Sequence, residues 1–252
     1  MNRMRRAMVM DLREQQRRPL IAILIVALPF FFITRAIAST EAIPRAIGLP
    51  GGGTALTTMR DIHGANMAAI TVAFLGGVLG VFALRREALI FDRRLVVAGF
   101  RPYETVLPRL VVLAAALVIA VGASLAVTAL SFSPAAWTTF AVGTALAALT
   151  YALVGVVLGL VLGPLGATYA LLFLAMLDLG IAQNPMFGSG EPPQWAVALP
   201  GYGASRLIIA AAFSEGSVMP MDAALSAAWI VALSGVAAAL AWRRLSPGRG
   251  PV

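Results

Sequence analysis

Six long apolar stretches constrain this chain more than anything else in it: Leu20–Ala38, Ala65–Leu84, Leu107–Phe132, Ala135–Leu162, Leu165–Gln183 and Met221–Trp242. A helix crosses the hydrocarbon core of a bilayer with about 20 mainly apolar residues. In lipid a helix satisfies its own backbone groups, which an irregular segment cannot do. The expected fold class is therefore all-α: a polytopic membrane protein with six transmembrane helices. Composition agrees, since 60% of the 252 residues are hydrophobic and 12% charged, against about 25% charged in a soluble domain. There is no cysteine, which excludes disulfides, Cys-ligated zinc and thiol catalysis.

Orientation follows from arginine, because all 19 basic residues are Arg. Arg3, Arg5, Arg6, Arg13, Arg17 and Arg18 precede span one. Arg85, Arg86, Arg93, Arg94, Arg101 and Arg109 lie between spans two and three, and Arg243, Arg244 and Arg249 follow span six. Arg35, Arg45, Arg60 and Arg206 remain for the other side. The positive-inside rule puts the Arg-rich side, with both termini, in the cytoplasm, and the expected location is the plasma (inner) membrane. The net charge of +8 sits beside apolar runs, which suits lipid contact and not a nucleic-acid surface. Span one is not expected to be a cleaved signal, since five more spans follow and no small-residue cleavage site does. Trp137 and Trp242 suit interfacial anchors. The short turns at Ser133–Pro134 and Gly163–Pro164 make spans three, four and five a tight antiparallel run.

Three segments interrupt the spans. Residues 1–19 read as an amphipathic helix lying in the plane of the membrane, with Met1, Met4, Met8 and Leu12 on one face; residues 20–252 form the transmembrane domain. The cytoplasmic loop 85–106 holds a short helix from about Glu87 to Ala98, closed by Gly99 and Pro102. It is too polar to cross the membrane and is shaped to dock in a groove on a soluble partner. On the outer side, Pro and Gly break residues 191–214 into apolar pieces too short to span, which suits re-entrant helices shielded by protein.

Chemistry is sparse. His63 and Asp61, before span two, make neither a metal site nor an acid–base pair, and His63 reads as a loop histidine. Asp178 is the clearest ionisable residue inside a span and so a functional candidate. Pro50–Thr58 (PGGGTALTT) is a Gly-rich loop without the Lys of a phosphate-binding loop. Gly76 and Gly80 in span two, and Gly155, Gly159 and Gly163 in span four, permit close helix contact inside the subunit. No catalytic residue, metal or cofactor is expected in the chain, and no enzymatic activity.

The order of these elements resembles the membrane subunit of ABC exporters of the ABC-2 (type V) family. The resemblance is carried by the basic entry helix, the loop EALIFDRRLVVAGFRPYETVLPRL, the six spans with both ends inside, and the outer PPQWAVALPGYGASRL stretch. It implies a separate P-loop ATP-binding cassette subunit, carrying ATP and Mg, docked on a coupling helix through Glu87, Asp92, Arg93, Arg94, Val97 and Phe100. It implies a second permease subunit, identical or related, and a translocation pathway bordered by Asn66, Thr71, Phe74, Met176 and Asp178. No aromatic row is available to stack sugars, so a hydrophobic drug or lipid-like substrate is expected. The alternative is an ion-coupled secondary transporter or a channel.

Overall fold

The computed structural model describes residues 19–84, 86–187, 192–215 and 220–245. The entry helix expected over residues 1–18 lies outside them, as does the first residue, 191, of the expected re-entrant segment. The described chain is mostly helical, and four helical stretches are long and apolar enough to cross a membrane: Met59–Ala83, Tyr103–Ala129, Trp137–Ala182 and Pro220–Leu245. Their outward side chains are large and apolar; Val118, Leu165 and Val231 are each more than 70% exposed. Such a surface is untenable in water and ordinary in lipid.

Helix α1 (Pro19–Ser39) begins on a proline, whose missing N–H is no loss in a first turn. A two-stranded antiparallel hairpin follows, β1 (Pro44–Gly48) with β2 (Thr54–Thr58), pairing Ala46 with Leu56. The hairpin adds two short strands, which the sequence reading did not expect, to a chain that is otherwise helical as expected. Its turn runs through Gly51, Gly52 and Gly53, all at φ of 90° to 96°, a region closed to side-chain-bearing residues. The tripled glycine read as a loop is thus the turn that lets the Thr-rich segment after it pair back as a strand.

Thr58 ends β2 and caps α2 (Met59–Ala83), accepting a hydrogen bond from the Asp61 amide at 3.2 Å. Helix α3 (Arg86–Val97) closes in a Schellman motif. Gly99, at φ 92°, donates to the Val96 carbonyl, and Phe100 donates to that of Leu95. Helix α4 (Pro102–Ala129) starts on Pro102, and Glu104 accepts from the Arg101 amide at 2.9 Å.

Helix α5 (Trp137–Ala175) and the π-helical stretch Met176–Ala182 run on without a loop, yet they are not one rod. Gly163 has φ 77° and ψ 172°, and Pro164 follows. Tyr151 and Asp178 are hydrogen-bonded across this point, although 27 residues of straight helix would separate them by about 40 Å. Gly77 of α2 faces both Gly155 and Leu171. The two arms of α5 therefore fold back on each other. Leu160, four residues before Pro164, has no intrahelical donor because proline lacks an N–H. Arg244, from the last turn of α7 (Pro220–Leu245), donates to that carbonyl at 2.6 Å. Before α7 comes the shorter α6 (Tyr202–Phe213).

The core is the contact of α2 with the first arm of α5, which run parallel. A Cβ added at Gly76 would fall on the Ala148 carbonyl, one at Gly80 on that of Ala152, and one at Gly155 on that of Gly77. Small residues let membrane helices approach to backbone contact, and here they act within the subunit. Gly163 plays no part in this seam; it makes the turn.

Candidate functional site

Two regions gather the polar side chains that an apolar bundle must place deliberately. The first is α3. Leu89 and Asp92, three residues apart and so on one face, are both 2% exposed and turn inward. Arg109 donates from Nη2 to Asp92 Oδ1 at 3.0 Å, fastening α3 to the second turn of α4. Arg94 and Val97 lie exposed, and Arg93 and Phe100 are half-buried. Glu87 stands in the first turn. Asp92, expected to meet a partner, therefore has its carboxylate committed inside the subunit.

The second region lies toward the hairpin end of the bundle. Asp178, in the π-helical stretch, is fully buried. Its carboxyl accepts from the Tyr151 hydroxyl at 2.6 Å, the Gly201 amide at 2.8 Å and Gln183 Nε2 at 3.2 Å. The same Gln183 amine donates to the Ala196 carbonyl at 3.2 Å. These donors come from the first arm of α5, the end of the π-helical stretch and the residue before α6. Buried polar groups are costly unless paired, so a carboxyl at this depth needs all of them. One turn of π-helix brings Asp178 and Gln183, five residues apart, to the same side, with the Gln183 amide donating to the Asp178 carbonyl.

Beside this cluster, Arg206 of α6 donates from Nε to both carboxylate oxygens of Asp222 in α7, at 3.0 and 3.1 Å, and stacks 5.4 Å over the Tyr202 ring. A small cleft lies between them, lined by Pro50, Gln183, Pro185, Pro192, Ser205, Arg206 and Ile209. His63 stands in the second turn of α2 and not in a loop; its Nδ1 lies 2.7 Å from the Thr40 hydroxyl, which itself donates to the Ala36 carbonyl.

The residues expected to border a pathway do not share one surface. Asn66, Thr71 and Asp178 are buried, Phe74 packs half-buried against the core, and Met176 is 42% exposed on the outside. Tyr151, Gln183, Gly201 and the Arg206–Asp222 pair are the functional candidates that sequence reasoning missed. A lone acid inside a span implies a nearby donor, but the turn at Gly163 is what supplies its identity. Among the described residues no group of three or more His, Asp or Glu could hold a metal ion. Comparison with family models, curated proteins and solved structures found no match.

Proposed function

We propose that this chain is the membrane subunit of an ATP-driven exporter, with six crossings and both ends in the cytoplasm. The four long apolar stretches become six crossings when the 46 residues of Trp137–Ala182 are counted as two arms and α1, with 21 residues, as one more. The observation that carries the reading is α3. An amphipathic helix between two spans is pinned to the bundle by Leu89 and Asp92, and it presents Arg94 and Val97 outward. A helix held this firmly can pass a push from a soluble partner into α4, and it packs against α7 as well. ATP and Mg would be bound by that partner, a P-loop ATPase, and a second permease copy or relative would complete the pathway. The lack of an aromatic row to stack sugars supports a hydrophobic drug or lipid-like substrate.

Ion coupling would mainly use Asp178, whose carboxyl three donors already occupy, while Asp222 is held by Arg206, which favours the exporter. Purification in mild detergent is expected to bring down a stoichiometric P-loop ATPase. Replacing Arg93 and Arg94 by Glu is expected to weaken that association by about tenfold or more through reversed steering and contact charge. Unchanged copurification and ATP hydrolysis would overturn the reading.

A further inference from the structure

The guanidinium of Arg206 is held by only part of its donor set. Nε donates to both oxygens of Asp222, and the group stacks on the Tyr202 ring. Among the described residues the donors on Nη1 and Nη2 meet no acceptor. With the side chain 18% exposed, unfilled donors on a charged group cost stability. Arg206 lines the cleft walled by Pro50, Pro185, Pro192 and Ile209, and so does Ser205, 3% exposed, whose hydroxyl is bonded to no other described residue. Those walls bring no side-chain acceptor, and the oxygen of Gln183 is buried. Asp222 and Asp178, the acids bonded to cleft residues, are both already occupied. Donors without acceptors, in a cleft that admits a group about the size of one water molecule, select an anionic oxygen. Next to the lining residues in the chain, Phe187, Trp195 and Met221 stand 71%, 64% and 68% exposed. A cationic cleft with an exposed apolar rim suits a lipid headgroup with its tails attached.

We propose that Arg206 and Ser205 form a phosphate-binding site for one phospholipid. A phosphate oxygen enters the cleft, and the acyl chains lie along Phe187, Trp195 and Met221. Asp222 anchors the Nε side of the guanidinium, which leaves the Nη edge to receive the phosphate as a fork. The same carboxylate partly neutralises Arg206, so a free anion gains little here. A lipid is held at the cleft by its tails, and that high local concentration offsets the weaker charge. The site does not depend on what the chain transports.

The probe is phosphatidylglycerol with a diazirine at the top of one acyl chain, added to the purified full-length chain in maltoside detergent without other phospholipid. Photolysis and peptide mass spectrometry are expected to place adducts on Phe187, Trp195 or Met221. Excess dioleoylphosphatidylglycerol should compete them away. Dioleoylglycerol, with the same tails and no phosphate, should not, and neither should inorganic phosphate. Arg206→Lys keeps a charge for Asp222 but loses the fork, and should cut these adducts about tenfold, the factor matching loss of a charge-assisted hydrogen bond. Arg206→Gln combined with Asp222→Asn, which leaves no charge unpaired, should do the same. Ser205→Ala should cut them about threefold, and Arg94→Gln on α3 should change nothing. Adducts that persist in Arg206→Lys and in the double variant, or that dioleoylglycerol displaces equally well, would overturn the site. Displacement by inorganic phosphate would overturn the lipid assignment in favour of a free anion. Should the Arg206 variants fail to fold, Ser205→Ala decides, and unchanged adducts there overturn the proposal.

Discussion

Single residues decide how closely this bundle can pack. At Gly80 no side chain fits, because its Cβ would occupy the place of the Ala152 carbonyl, whereas Gly122 on α4 has nothing within 4 Å. Gly80→Ala is therefore expected to cost about 3 kcal/mol as the seam is forced apart. Gly122→Ala should stay within about 1 kcal/mol of the parent, near the helix-propensity difference alone. Thermal unfolding followed by circular dichroism in detergent separates the two. The spacing of Gly76, Gly80, Gly155 and Gly159 was legible in the sequence as close contact. Which glycine meets which carbonyl was not, because that depends on α2 and the first arm of α5 running parallel. Asp178 was legible as a buried ionisable group that needed an explanation. Its partners Tyr151 and Gly201 lie 27 and 23 residues away, and no periodicity links them.

At the scale of elements, α3 shows what fixes a short helix against a bundle. Its ends are set by local chemistry: Gly99 stops it, and Arg101 with Glu104 opens the next helix. The stop at Gly99 and Pro102 was readable in the sequence; the Arg101–Glu104 cap was not picked out there. The attachment of α3 was not readable either, since Asp92 reads as one more surface charge until Arg109, 17 residues on, is brought beside it. Asp92→Ala is expected to speed amide hydrogen exchange across Leu89–Val97 by about tenfold or more, as a charge-assisted bond is lost and the helix opens locally. Exchange in α5 should not change. The hairpin β1–β2 was the element that sequence reading passed over. Hydropathy finds spans well, but a five-residue strand in a connecting segment leaves almost no signal. Three successive glycines at positive φ were the clue available. At the end of the first arm of α5, Arg244→Ala should lower stability by about 1–3 kcal/mol, the cost of leaving the buried Leu160 carbonyl unpaired. The difference in unfolding midpoint measures it.

For the molecule as a whole, the distribution of arginine predicts that the hairpin and α3 lie on opposite sides of the membrane. Leu56 and Val97 are 81% and 74% exposed, and neither side chain is needed for packing. In intact cells a membrane-impermeant thiol reagent is expected to label Leu56→Cys and to spare Val97→Cys until the membrane is opened. The reverse pattern would invert the topology.

The interlocked glycines of α2 and α5 carry one more consequence. A seam in which backbone rests on backbone cannot widen without pulling the fold apart, so no solute can slip between these two helices. On the exporter reading proposed above, the conduit would run along another face of the bundle, and a second permease chain would complete it. Stoichiometry then becomes part of mechanism: native mass measurement of the transporting particle is expected to find permease chains in pairs, and a fully active single copy would be incompatible with the exporter reading.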